Sequence, residues 1–291
     1  MFPFETLSSR ERVVRTLNKQ PVRMPIDLGS HMSTGISAFA YWNLREYLGL
    51  STGNIWIPDL VQMLAYVDED ILQRFHADCI LLEPRWPALW RWNPRGKYQF
   101  AVPQTFRPIQ DADGRWIVTQ NDCCMQMPPG GFFFDGEWLS DWGGLSEEDA
   151  LKIYAHEAER IYKETPYATN FVGYSYGGGF GNFFGGIDRC VTMLEEPQRV
   201  LEENQQQLEI YIKRLGKIID QFGYAIQMIT ISGDMGMQDR PMCRPALVER
   251  FSAPFIHQFC DFIHRNSDIK VFMHNCGSIE PLIPILIECG V

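Results

Sequence analysis

The sequence predicts an α/β fold built on parallel strands, and two observations on its last third indicate it. Two β-rich runs, 224–232 and 270–275, each end in polar residues and glycine. Each run then gives way to a stretch with helical spacing of apolar residues, so the order is strand, loop, helix, strand, loop, helix. In such folds functional side chains collect where strands end and loops begin. We therefore expect a site just beyond these two runs.

The N-terminal segment predicts a helix followed by a first strand. Ser8 and Glu11 form a capping box, which places a helix over about 9–19. The run MPIDLG at 24–29 is interpreted as the first strand, and the loop after it carries His31. A histidine at the C-terminal end of a strand is a candidate for substrate binding, with a capping or surface role as the alternative.

The next segment predicts two amphipathic helices and a second strand. The helices cover 36–49 and 67–76, and the strand covers 77–84 with Glu83 at its end. A carboxylate at that position can orient a ligand or act as a general acid or base. Equally, it can cap the loop that follows.

Residues 85–142 interrupt the alternation of strands and helices. The runs 98–103 and 115–120 flank a D-A-D-G turn, which predicts a β-hairpin. The segment follows strand two, so we interpret it as an insertion on the rim of the site.

This insertion is rich in tryptophan. All eight tryptophans lie between Trp42 and Trp142, and six of them lie from Trp86 onward. The segment is either a lid over an apolar ligand, with Trp86 as a substrate contact, or a small core of its own. The sequence leaves both interpretations open.

Beyond the insertion the alternation returns. A helix is predicted over 145–164, a third strand over 170–177, and helical structure over 187–222 with a break at Pro197. Tyr174, within the third strand, is a further substrate-binding candidate.

The third strand opens into a glycine-rich stretch, 177–186. It has neither the G-x-G-x-x-G order nor the lysine of a P-loop, so it does not indicate a nucleotide site. A close approach of backbone to a flat ligand is the functional interpretation, and loop flexibility is the alternative.

Composition narrows the class of protein. The chain has 291 residues, a net charge of −10 and a pI near 5.1, which argues against a nucleic-acid partner. No run approaches about 18 apolar residues, and no signal peptide is recognisable, so we expect a cytoplasmic protein with no membrane segment and a small-molecule substrate. Its eight cysteines include no C-x-x-C, which favours reduced thiols over a disulfide framework.

The strongest chemical signal is a His-x-Cys pair at the end of the last strand. Successive strand residues point to opposite faces, so Phe272, His274 and Cys276 share one face. Two residues of strand cover about 6.6 Å, and a tetrahedral zinc needs its donor atoms roughly 3.5 Å apart. Ordinary rotamers can close that gap, and Gly277 lets the backbone turn away. The alternative is a chance pair with a core cysteine.

Two stretches of the chain resemble one family. The run from Asp234 through R-P-x-L-V-E-R-F-x-x-P (Arg244 to Pro254) to H-N-C-G-S-I-E-P-L-I-P-x-L-I-E-C-G-V resembles the uroporphyrinogen decarboxylase superfamily. It is most similar to the cobalamin-linked zinc methyltransferase branch. The opening S-R-E-R-V-V-R-T-L-N…R-M-P-I-D-L-G (Ser9 to Gly29) resembles the start of the same family, so the likeness spans most of the chain.

The resemblance implies a (β/α)8 TIM barrel of the uroporphyrinogen decarboxylase type, forming a single domain over 1–291. The rim insertion at 85–142 would follow its second strand. We count five strands where a closed barrel needs eight, so we expect the chain to lack the last strands of the barrel. In the family's methyltransferases an H-x-C pair and a later cysteine hold zinc. The pair corresponds to His274 and Cys276, and the later cysteine would lie in the missing part.

The function that the resemblance implies is zinc-dependent methyl transfer to or from a corrinoid, which a partner protein carries. Zinc would activate a methyl donor or a thiol acceptor. Asp234 and Glu83 are the catalytic candidates, which orient the metal, the substrate or a neighbouring hydrogen bond. The substrate-binding candidates are His31, Trp86, Tyr174 and Gln238.

Two other functions stay open. The first is uroporphyrinogen decarboxylase itself, a metal-free enzyme of porphyrin biosynthesis. It carries an arginine-rich loop of the R-Q-A-G-R type after its first strand, whereas this chain has GSHMSTGIS there, without arginine. The His-x-Cys pair would also have no task in a metal-free reaction. The second is a non-catalytic barrel homologue that binds a corrinoid protein or a small ligand.

Overall fold

The structure, a computed structural model, is a mixed α/β fold and describes residues 6–87, 89–120, 123–136, 145–173 and 180–291. The helices are α1 (Ser9–Leu17), α2 (Ala38–Tyr47), α3 (Glu69–Arg74), α4 (Glu147–Glu164), α5 (Ile187–Glu195), α6 (Pro197–Phe222), α7 (Pro245–Phe251), α8 (Ala253–Asn266) and α9 (Ile283–Glu288). The strands are β1 (Ile55–Trp56), β2 (Cys79–Leu81), β3 (Leu89–Trp92), β4 (Phe100–Pro103), β5 (Ile109–Gln110), β6 (Trp116–Gln120), β7 (Cys123–Met127), β8 (Ala168–Phe171), β9 (Met228–Ser232) and β10 (Lys270–His274).

The chain divides into two compact units. The N-terminal unit contains residues 1–169 and 173–178, and the C-terminal unit contains residues 170–172 and 179–291. The prediction of a single barrel domain over 1–291 stays a prediction.

The C-terminal unit is built on parallel strands. β9 pairs in parallel with β10 on one side and with the end of β8 on the other. The first four residues of β9 are buried, as a strand with neighbours on both edges requires. Helices α6 and α8 pack against each other, and Tyr211 of α6 meets Phe259 of α8 edge to face. This sheet is the part of the predicted α/β fold that positions the site.

The N-terminal unit contains two small sheets. One has the order β1-β4-β3 and the other has the order β5-β6-β7. Trp92 makes ring contacts with Phe106, Trp116 and Phe134, all from the predicted insertion. Of the two interpretations of the tryptophan-rich segment, these contacts favour a core of its own.

Helix starts and breaks follow the sequence signals closely. Ser8 and Glu11 form the predicted capping box at the start of α1. Pro197 opens α6 directly after α5 ends, so the predicted break in 187–222 is confirmed. The two predicted strands of the last third are present as β9 and β10, but β9 begins at Met228 because Gly223–Ala225 form a 3-10 turn.

The prediction of a first strand at 24–29 is wrong. The Ile26 amide donates to a carboxylate oxygen of Asp78 at 2.8 Å, and the Asp78 amide donates to the Ile26 carbonyl at 2.6 Å. Pro25 has no amide hydrogen to offer a ladder. The buried Asp78, and not a neighbouring strand, therefore holds this segment in position.

The predicted hairpin has the right turn and one wrong strand. The D-A-D-G turn joins β5 to β6, whereas the sequence predicts that 98–103 pairs with 115–120. β4 instead pairs with β3 in an antiparallel ladder. A short strand, Ile109–Gln110, precedes the turn, and the Asp111 carboxylate accepts hydrogen bonds from the turn amides of Asp113 and Arg115.

The sheets that the described strands form are open, and these strands do not close a barrel. None of the described helices combines the length and apolar character that crossing a membrane would require.

Candidate metal site

The candidate site lies where β9 and β10 end. The two strands run parallel and in register, with His274 opposite Ser232. The ladder continues one step further, because the Gly233 amide donates to the His274 carbonyl at 3.2 Å. The carboxyl ends of both strands therefore release their loops at the same edge of the sheet. This places Asp234, just beyond β9, beside the His-x-Cys pair.

Three side chains offer metal donor atoms at this edge. Cys276 Sγ lies 3.3 Å from His274 Nε2, and Asp234 Oδ1 lies 3.6 Å from the same nitrogen. One donor atom from each of the three residues lies within 4.8 Å of the others. Donors around a tetrahedral zinc are roughly 3.5 Å apart. The spacing therefore fits a single zinc ion, and nitrogen, sulfur and oxygen are the donors that zinc takes.

The cluster is accessible from solvent. The Asp234 side chain is 55% exposed and the His274 side chain is 21% exposed, while Cys276 is exposed. Partial burial, and then the Asp234 carboxylate, raise the pKa of the Cys276 thiol. A divalent cation has the opposite effect and takes cysteine as the thiolate. Three protein donors with an open side are typical of catalytic zinc sites, whereas structural sites are closed.

Two hydrogen bonds hold the Asp234 loop against the end of β10. The Cys276 amide donates to Asp234 Oδ1 at 2.9 Å, and the Met235 amide donates to Asn275 Oδ1 at 2.8 Å. Because Met235 supplies an N–H, the Asn275 oxygen must face it, which fixes the orientation of that amide group. Sequence reasoning missed Asn275, since its partner lies 40 residues away in the chain.

Two glycines allow the loops to cross in direct backbone contact. A Cβ on Gly236 would lie 2.5 Å from the Gly277 carbonyl carbon, and a Cβ on Gly277 would lie 2.4 Å from Gly236. Gly277 also has φ +81°, a conformation that favours glycine. The sequence predicts a turn at Gly277 but gives no local signal for Gly236. Together they fix the separation between Asp234 and Cys276.

Asp234 opens a short hairpin that runs to Cys243. The Met237 amide donates to the Arg240 carbonyl at 2.7 Å, and the Met242 amide donates to the Met235 carbonyl at 2.7 Å. Gln238, a predicted substrate contact, is exposed at the tip of this hairpin. The tip therefore stands on the same loop as a candidate metal ligand.

Glu83 and Trp86 lie in the N-terminal unit, and Glu83 is buried there. Glu83 is 1% exposed and accepts a hydrogen bond from the Tyr154 hydroxyl at 2.6 Å. It lines a cavity of about 380 Å³ between the start of α3, the loop after β2, and α4. Trp86, 4% exposed, packs edge to face on the Tyr154 ring. The carboxylate and the indole thus share a partner.

The two other predicted substrate contacts have different outcomes. His31 is 2% exposed, and its Nδ1 accepts the Ser33 amide at 3.1 Å, which caps the turn Met32–Thr34. This contact favours the capping alternative for His31. Tyr174 lies outside the described residues.

Comparison with known proteins gives one distant likeness of fold. No protein-family model matches the chain, and no curated protein matches it. A solved structure of a methyltransferase from Methanosarcina mazei is similar, with 12% sequence identity and a TM-score of 0.50. The similarity covers 98% of this chain and 74% of that one. At this identity the likeness is one of fold alone.

Proposed function

We propose that this chain is a zinc-dependent methyltransferase that moves a methyl group to or from a corrinoid carried by a partner protein. The observation that carries the proposal is the cluster of Asp234, His274 and Cys276, whose donor atoms lie within 4.8 Å of one another. The family resemblance of the sequence and the distant fold likeness to a methyltransferase both support it.

His274, Cys276 and Asp234 would hold the ion. His274 would bind through Nε2, which faces Cys276 Sγ at 3.3 Å. Cys276 would bind as the thiolate, the form of cysteine that zinc takes. Zinc bound there would supply a Lewis acid that activates a thiol acceptor or polarises the methyl donor.

The exposure of the cluster supports a catalytic role over a structural one. Three protein ligands would leave room on the open side of the ion for a substrate atom. The Asp234 carboxylate carries negative charge at the open side and is already oriented by the Cys276 amide. In the N-terminal unit, the Tyr154 hydroxyl orients the Glu83 carboxylate at the wall of a separate cavity, where Glu83 would orient a ligand of that cavity.

Metal analysis of the purified chain tests the proposal. We expect about one zinc per chain after equilibration with zinc and removal of the excess. Cys276→Ser and His274→Gln should lose it, and Asp234→Asn should weaken it. Cys124→Ser, at an exposed cysteine of the N-terminal unit, is the matched control and should keep it.

A second measurement tests the reaction. Transfer from free methylcobalamin to a small thiol, followed by the cobalamin spectrum, should require zinc and should be lost in Cys276→Ser. Equal zinc content in Cys276→Ser and Cys124→Ser would contradict the metal site. Decarboxylation of uroporphyrinogen by the metal-free chain would contradict methyl transfer and would support uroporphyrinogen decarboxylase as the function.

A further inference from the structure

The cavity of about 380 Å³ in the N-terminal unit has a lining that is partly apolar and mainly charged. It lies between the start of α3, the loop after β2, and α4. The apolar part of its lining consists of Tyr66, Pro84 and Ile153. A cavity of this volume has room for a small organic molecule.

The charged part of the lining contains more carboxylates than cations. The acidic side chains are Asp68, Glu69, Glu83 and Glu157, and the basic ones are Arg85 and Arg160. Four carboxylates against two guanidinium groups leave a formal excess of two negative charges when His156 is neutral and of one when it is protonated. The cavity therefore attracts cations and repels anions.

Both arginines of the cavity are already bound to carboxylates of its wall. Arg160 donates to the two oxygens of Glu157, at 2.8 and 3.0 Å, and to Glu69 at 3.0 Å. Arg85 donates to Asp68 at 2.8 Å. An anionic ligand would have to break these ion pairs to reach a guanidinium group, so the arginines do not favour an anion.

Glu83 is the most deeply buried charged group of the cavity. The Tyr154 hydroxyl donates to its Oε2 at 2.6 Å, which fixes the orientation of the carboxylate. A carboxylate removed from water is stabilised by any cation that approaches it. Burial also raises the pKa of Asp68, in spite of the charges on Arg85 and Arg45, so the wall of the cavity is poorly hydrated.

The spacing of the carboxylates determines which kind of cation fits. In the described part of the chain, no three carboxylates of this cavity bring their oxygens within the distance that one metal ion requires. A compact ion held by several protein oxygens therefore does not match the cavity. An organic ammonium ion does, because its N–H groups can donate to a carboxylate while its hydrocarbon part packs on Tyr66, Pro84 and Ile153.

We propose that this cavity binds a small organic amine, with one primary ammonium group on an apolar body, and that Glu83 accepts the ammonium group. The ammonium group offers three donors, and the ionised carboxylate only accepts. The ion pairs of Arg85 and Arg160 hold the walls around the ligand. Binding of the amine does not require zinc, so it does not rest on the proposed function.

Three probes that share an aromatic ring separate the effect of charge from that of shape. Benzylamine is a cation at neutral pH, benzyl alcohol is neutral and benzoate is an anion. Each is titrated into the isotope-labelled full chain, freed of metal so that the amine cannot bind zinc, and nuclear magnetic resonance follows the backbone amides. We expect saturable shifts at Glu83, Arg85 and Glu157 with benzylamine in the millimolar range, and none with the other two probes.

Charge-removing variants locate the carboxylate that binds the amine. Glu83→Gln keeps the size of the side chain and an acceptor for the Tyr154 hydroxyl, and it should lower the affinity for benzylamine about tenfold. Glu157→Gln, at a half-buried position of the wall, should also lower it, because Arg160 loses a compensating charge. Glu148→Gln, at an exposed position of α4 outside the cavity, is the matched control and should bind as the wild type does.

The proposal is overturned if benzylamine gives no saturable shifts, or if benzoate or benzyl alcohol shifts the same amides as strongly. Wild-type affinity in Glu83→Gln would also overturn it. Should Glu83→Gln fail to fold, equal affinities in Glu157→Gln and Glu148→Gln would have the same consequence. Failure of the chain to bind zinc would contradict only the proposed function, because no readout here uses metal.

Discussion

Asn275 lies between His274, the last residue of β10, and Cys276, in the loop that follows, and its role differs from that of either donor. His274 and Cys276 point to one face, so Asn275 points to the other and reaches the neighbouring loop, where it accepts the Met235 amide. This hydrogen bond holds the loop that carries Asp234 against the end of β10. Partners of this kind commonly change metal affinity when they are mutated.

We predict that Asn275→Leu lowers zinc affinity about 10- to 100-fold. Leucine has similar size but leaves the Met235 amide without its acceptor, so the Asp234 loop loses its anchor. Asn275→Asp keeps an oxygen at that position and should bind zinc at least as tightly as the wild type. Competition with a chromophoric chelator measures both affinities.

A cobalt spectrum separates positioning from general destabilisation. Cobalt bound to Asn275→Leu should show altered d–d bands, whereas Asn266→Leu, at the exposed end of α8, should give the wild-type spectrum and affinity. Wild-type affinity in Asn275→Leu would refute the role of this side chain.

Single residues of the site were predictable to the extent that local geometry determines them. The alternation of strand side chains predicts that His274 and Cys276 share a face, and their donor atoms lie 3.3 Å apart. Gly236 and Asn275 act through partners about forty residues away, and no local pattern encodes such a contact. The closeness of Asp234 to His274 and Cys276 can be predicted only from the parallel order of β9 and β10.

Among helices and strands, the sequence predicts where helices begin and end better than it predicts which strands pair. The capping box at Ser8 and the proline at Pro197 determine helix boundaries through groups close in sequence. The failures concern strands, whose partners are set by tertiary contacts. At 24–29 a buried carboxylate took the place of a neighbouring strand, and before the D-A-D-G turn a two-residue strand took the place of 98–103.

Helices α2 and α3 are linked by a bidentate ion pair whose strength depends on pH. Arg45 Nη1 and Nη2 donate to the two oxygens of Asp70, each at 2.8 Å. The hydrogen bonds from Arg45 lower the pKa of Asp70. A carboxyl with a lower pKa in the folded state stabilises the fold above its unfolded pKa, about 3.9, and loses this contribution as the pH falls through its folded pKa.

We predict that Asp70→Asn destabilises the chain by an amount that is constant above about pH 5 and shrinks below about pH 4. Urea unfolding of the wild type and the variant at a series of pH values measures it. Asp268→Asn, at an exposed aspartate of the C-terminal unit, controls for the loss of one negative charge. A difference that stays constant down to pH 3 would disprove the link.

At the scale of the whole molecule, the metal donors all come from one unit. Asp234, His274 and Cys276 lie within 179–291, and the two strand ends that carry them are neighbours in one parallel sheet. The sequence predicts that sheet through the alternation of strands and helices. Barrel closure needs contacts between distant strands, and the described strands form open sheets.

Zinc should therefore stabilise the folded chain through this cluster and through no other group of thiols. A ligand that binds only the folded state at about a hundredfold excess over its Kd adds about 2.7 kcal/mol to the free energy of unfolding. We predict a rise of that order in urea unfolding of the wild type with zinc, and none in Cys276→Ser. Cys243→Ser, which removes another thiol of the same unit, is the matched control, since it leaves all three donors intact and should keep the full rise. If zinc stabilises Cys276→Ser as much as the wild type, the ends of β9 and β10 do not form its site.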